Sequence, residues 1–186
     1  MRWVTLYARS RQVPAAFAAL LLGTVGVWWL SGDSWSPFLA ALALTCGIAV
    51  AAIGLSGQDV DLDRTAAMPW LPRRLAHILL IGVLAGGAVL AAQSFGTFHV
   101  DMSIIARDAL GLLGLAGIAA TVAGGQYGWT LPLAWFAFAP LVPPRDVYAD
   151  VMAWMLRPPG TSAATWTAAI LGVTGIVAYA GWGGRR

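Results

Sequence analysis

Along this chain the polar residues gather in short stretches, and the positions between them are almost continuously apolar. The apolar runs cover approximately 14–30, 37–55, 75–92, 106–123, 129–142 and 163–182. A helix needs roughly 20 mainly apolar residues to cross the hydrocarbon core of a bilayer. The pattern predicts an all-α, polytopic membrane protein with six transmembrane helices in a single domain, 1–186. The fifth run is the weakest. Trp129 to Val142 is barely long enough, and Pro132 and Pro140 each remove a backbone donor, so it reads as a kinked span or a half-span that turns back. Residues 1–30 have the basic-then-apolar order of a secretory signal. Trp28-Trp29-Leu30 makes a poor cleavage site and five more runs follow, so a retained first helix is expected.

Three connecting segments carry patterns of their own. In Met1 to Val13, Trp3, Leu6 and Tyr7 share one helical face and Arg2 and Arg9 another, which predicts an amphipathic helix on the membrane surface. The stretch Ser56 to Arg74 holds Asp59, Asp61, Asp63, Arg64, Arg73 and Arg74, with net charge zero; Asp63 is placed to cap a short helix running to Met68 and stopped by Pro69. The alternating aspartates lack the glycine and terminal Glu of a calcium-binding loop. In Pro143 to Ser162, Val147, Val151, Trp154 and Met155 recur at helical spacing. That predicts a short amphipathic helix at the outer interface, or one arm of a re-entrant hairpin.

Composition agrees with the pattern. Of 186 residues 59% are hydrophobic and only 10% charged, and the mean hydropathy is +0.75. Water-soluble domains carry about 25% charged residues, so an ordinary soluble enzyme is excluded, as is a disordered chain. A net charge of +3 invites a nucleic-acid reading, but the arginines stand at the ends of apolar runs, where they anchor helices. With the N-terminus inside, eight arginines are cytoplasmic, and three, Arg107, Arg145 and Arg157, are outside. Both termini are therefore expected in the cytoplasm.

Candidate chemistry is sparse. Cys46 lies alone in an apolar run, and His77 and His99 sit at opposite ends of the third run. His99 and Asp101 make two ligands, short of a metal site. Asp108 is the one carboxylate placed to enter the membrane, and Arg107 beside it predicts an interfacial position. No phosphate-binding loop is present, so no catalytic, cofactor or metal site is expected in this chain. The glycines Gly82, Gly86, Gly111 and Gly114 have the spacing of close helix packing.

A surface helix, six spans, a cytoplasmic connection after the second span and a short outer helix between the fifth and sixth together resemble the membrane subunit of an ABC-2-type (type V) ABC transporter. The segment GQDVDLDRTAAMPWLPRRLAH is similar to compact permeases of actinobacterial type. The resemblance implies an exporter permease in the bacterial cell membrane, paired with a second membrane subunit as a homo- or heterodimer. It implies that ATP and Mg are bound by a separate ATP-binding subunit, which docks on Asp61, Asp63, Arg64, Met68 and Trp70. A second reading is the substrate-capture subunit of an energy-coupling-factor-type vitamin importer, which Ala15-x-x-x-Ala19 in the first run resembles.

Overall fold

Helix starts along the chain are set by short polar residues and prolines. Ser36 accepts the Leu39 N–H at 3.2 Å ahead of Pro37, and Asp101 accepts the Ser103 N–H at 2.7 Å. In the computed structural model, which describes residues 13–32, 34–55, 70–146 and 148–184, the elements are helical and no strand occurs among the described residues. The α-helices are α1 (Val13–Ser31), α2 (Pro37–Ala52), α3 (Trp70–Gln93), α4 (Met102–Val122), α5 (Thr130–Phe138), α6 (Ala149–Met152) and α7 (Ser162–Trp182). Two boundaries differ from expectation. Helix α3 starts at Trp70, not Leu75, because Pro72 falls in its first turn, where no donor is needed. Helix α4 starts four residues before Ala106, at the Asp101 cap.

Among the described residues, five helices are long and apolar enough to cross a membrane: Pro14–Ser31, Pro37–Leu55, Leu71–Gln93, Met102–Val122 and Ser162–Trp182. The expected fifth span is not a sixth such helix. Helix α5 has nine residues, about 14 Å against the roughly 30 Å of a bilayer core. Pro140 cannot donate to the Phe136 carbonyl, and the helix passes into a 3-10 turn at Ala139–Leu141. The expected surface helix at 1–12 and the segment 56–69 lie outside the described residues.

The bundle has two ends. At the distal end the turns after α1 and α3 meet, with the Trp35 N–H donating to the Phe98 carbonyl at 3.4 Å. The buried Gln93 carboxamide closes the second of these turns, donating to Val100 O at 3.2 Å and accepting from Val100 N at 3.0 Å. At the proximal end the Tyr179 hydroxyl donates to the Leu55 carbonyl at 3.0 Å, satisfying an acceptor left over where α2 tightens into the turn Ile53–Leu55.

Packing sorts residues by size rather than polarity. Helix α7 turns Ala164, Ala168, Gly172, Gly175 and Tyr179 inward and leaves Trp166, Ile170, Val173 and Val177 exposed. Between helices in a bilayer there is no hydrophobic drive, so close backbone approach supplies the contact energy. Helix α4 stands at the centre, touching α2, α3, α5 and α7. Its crossing with α7 is backbone on backbone: a β-carbon at Gly114 would strike the Leu171 carbonyl, and one at Gly175 the Gly114 carbonyl. Gly82 of α3 faces the Leu113 side chain, whereas Gly86 meets only Ile105, at an ordinary 3.9 Å. Helix α1 packs chiefly on α2 and less on α3.

Residues 143–161 do not form the amphipathic surface helix that their periodicity predicts. Among its described residues only Ala149–Met152 is α-helical; the backbone then breaks at Ala153 and tightens into a turn at Trp154–Leu156. Trp154 and Met155 are 0% exposed, and this turn touches α2, α4 and α7. Trp154 and Met155 fill the bundle, while Val151 stays exposed. Periodicity cannot separate these cases, because bundle interior and bilayer are both apolar.

Candidate functional site

Polar side chains inside the five long helices mostly satisfy themselves. Thr24, Thr45, Thr121 and Thr167 each donate to the carbonyl four residues back, at 2.6–2.9 Å. Such hydroxyls serve the helix backbone. One constellation differs. Arg107 and Asp108, in the second turn of α4, are 8% and 0% exposed. The 143–161 segment folds over the helix at this point and withdraws both side chains from the protein surface.

The pair forms within one turn: Arg107 Nε donates to Asp108 Oδ1 at 2.8 Å. The rest of the guanidinium reaches across to the far segment, with Nη2 on the Arg157 carbonyl at 3.1 Å and Nη1 on the Pro158 carbonyl at 3.4 Å. Those acceptors are open because Pro158 and Pro159 interrupt any helix there. Arg157 repeats the device one layer out. Its Nε meets Ala149 O at 3.2 Å and Asp150 Oδ1 at 3.1 Å, and its Nη2 meets Pro144 O at 3.4 Å. Trp135 Nε1 donates to Met152 O at 2.8 Å. Two arginines and a tryptophan thus tie the segment into a clasp over the distal end.

Beneath the clasp, Asp108 Oδ2 and Trp154 Nε1 are buried with no hydrogen-bond partner among the described residues. The Trp154 ring lies on Gly111, three residues along the helix from Asp108, in the space a β-carbon would occupy. One unused acceptor and one unused donor therefore lie on the same side of α4. A buried ion pair gains little stability over apolar packing of the same volume.

The other candidate residues stay apart. His99 and Asp101 are exposed in the distal turn, and Asp101 is about 10 Å along the helix axis from Asp108. The Ser103 side chain and N–H hold the Asp101 carboxyl below the usual carboxylate range. Cys46 is half-buried in α2 and His77 half-buried near the start of α3. Among the described residues no three His, Cys, Asp or Glu side chains come together as metal ligands. Of the docking residues, Asp61, Asp63, Arg64 and Met68 lie outside the described residues, and Trp70 is the first residue of α3. Among the packing glycines, Gly111 lies under Trp154 and Gly114 on the α7 backbone.

The Arg107 tether was not legible in the sequence, because its acceptors lie 50 and 51 residues away. The available signal was the Arg-Asp pair itself, the one acidic step in an otherwise uncharged helix. Set against models of protein families, characterised proteins and solved structures, the chain finds no match in any of the three.

Proposed function

We propose that this chain is the membrane (permease) subunit of an ABC-type exporter, without enzymatic activity of its own and driven by a separate ATP-binding subunit. The carrying observation is the path of residues 129–161. It begins beside Ala52 and Leu55, where Gly128 packs, brings Phe136 within 5.3 Å of Phe38, and ends beside Arg107. Counted as a broken sixth pass, this path makes the number of crossings even. Both chain ends and the charged 56–74 connection then share the proximal side, and eight of the 11 arginines make that side cytoplasmic. Energy input from a partner is favoured by the state of Arg107, whose guanidinium is committed to Asp108 and to the clasp carbonyls. Carriers driven by protons or sodium need ionisable groups available in the bundle.

In this reading the 56–74 connection is the coupling element, with Trp70 as the apolar anchor and Asp61, Asp63 and Arg64 around it. ATP and Mg²⁺ reside in the partner, and a second membrane subunit completes the path. Two measurements test it. A maleimide added outside intact cells is expected to label Ser162→Cys and spare Ser56→Cys on a Cys46→Ala background; the reverse overturns the orientation. Trp70→Ala is expected to weaken co-purification of the ATPase by about 2 kcal/mol, the size of an interface hot spot. An unchanged complex overturns the coupling role. The importer-subunit reading draws on Ala15, exposed on α1, with Ala19 half-buried beside it. A vitamin co-purifying at one per chain favours that reading instead.

A further inference from the structure

The stretch 148–158, which closes the distal end, is bonded mostly to itself. Its backbone bonds run from Met152 N to Tyr148 O, Ala153 N to Ala149 O, Leu156 N to Ala153 O and Arg157 N to Trp154 O, at 2.8–3.2 Å. The Arg157 side chain adds bonds to Ala149 O and Asp150, inside the same stretch. Among the described residues, no backbone hydrogen bond joins 148–158 to the long helices. The helices hold it by side chains: Arg107 of α4 on two carbonyls and Trp135 of α5 on one. Both flanks suit a hinge. Residues 143–146 are exposed. On the other side Pro158 and Pro159 bring no N–H, and Gly160 takes a φ of +83° in open space.

Two opposed tendencies meet in this piece. Burial of Trp154 and Met155 favours the closed position. Against it, Asp108 Oδ2 and Trp154 Nε1 lie beneath the piece with no hydrogen-bond partner among the described residues, and such groups favour a state in which water reaches them. We propose that residues 148–158 form a hinged lid, which lifts Trp154 off Gly111 and opens Asp108 at the distal end while the long helices stay packed. Arg107 is its latch. Opening breaks the bonds to the Arg157 and Pro158 carbonyls but keeps the bond from Nε to Asp108, so the charge pair stays made. The lid gates the centre of the bundle from the distal side. The inference rests on the packing of that end, and not on the permease reading.

The test uses the full chain on a Cys46→Ala background, purified in a mild detergent, with single cysteines at matched buried alanines. Ala149→Cys and Ala153→Cys report on the lid and Ala116→Cys on the centre of α4; these alanines are 0%, 4% and 1% exposed. Ser162→Cys serves as the exposed reference. A water-soluble maleimide reads how fast each position opens. Both lid cysteines are expected to label at least about tenfold faster than Ala116→Cys, because local opening costs less than global opening, and more slowly than Ser162→Cys. Added sodium dodecyl sulfate should speed Ala116→Cys from the first increments and leave the lid rates flat until the two meet. Trp135→Phe, which removes the bond to the Met152 carbonyl, should speed lid labelling about fivefold, the weight of one hydrogen bond, and leave Ala116→Cys unchanged. The two lid positions are scored separately, so a cysteine that disturbs folding at one leaves the other to decide. Lid cysteines that track Ala116→Cys in every detergent mixture mean that the segment opens only with the bundle, and overturn the lid. Labelling as fast as Ser162→Cys overturns it too, since the segment is then not closed. So does equal acceleration of Ala116→Cys by Trp135→Phe, which would place the loosening in the whole bundle.

Discussion

Asp108 draws its charge balance from the residue next to it, and Arg107 in turn is held by carbonyls that proline has freed. Removing one partner from such a pair leaves an uncompensated buried charge, at a cost of about 3–5 kcal/mol. Arg107→Met should therefore destabilise the protein by that amount, and it also releases the clasp. Arg107→Met combined with Asp108→Leu should recover most of the loss, because apolar packing often equals a buried pair. Thermal unfolding of the single and double variants in detergent checks this. A harmless Arg107→Met would mean that the pair contributes nothing to folding. At this scale the sequence was partly legible: an ionisable pair inside an apolar run already singles itself out. Its burial was not, because hydropathy is a local property and the covering residues come from a segment about 50 positions away.

At the scale of elements, the long helices were legible because each is a run of apolar residues of bilayer length. The limits of α3 and α4 were less so, since Pro72 is tolerated in a first turn and the Asp101 cap competed with other roles for that carboxylate. The glycine spacing in α4 and α7 indicated close packing, but not which glycine faces rigid backbone and which faces a side chain able to move. That difference governs the cost of substitution. Gly114→Ala drives a β-carbon into the Leu171 carbonyl of α7, whereas Gly86→Ala meets only an ordinary contact with Ile105. Overpacking costs about 1–3 kcal/mol, with the upper part of that range expected where backbone must shift. Gly114→Ala should therefore lower the unfolding midpoint clearly while Gly86→Ala leaves it nearly unchanged. Comparable effects at the two sites would mean that the α4–α7 crossing is looser than the structure has it.

The whole molecule combines a dense centre with a thinly attached flank. Helix α4 is surrounded, α7 lies against it backbone to backbone, and the clasp seals the distal end above both. Helix α1 is joined mainly to α2, and Leu22, Val25 and Trp29 stand exposed along it. Nothing in the apolar pattern separates α1 from α7, because the two runs are alike in length and hydropathy; what differs is the number of small residues that admit a neighbour. The consequence of the glycine crossing is a difference in how the backbone opens. In detergent, amide hydrogens of α4 and α7 should exchange with deuterium only when the entire bundle comes apart, and so report one shared global free energy. Those of α1 should exchange earlier, through detachment of that helix alone. Mass-resolved exchange along the chain would show α1 labelled while the crossing stays protected, whereas uniform exchange would mean that the bundle opens as a single unit.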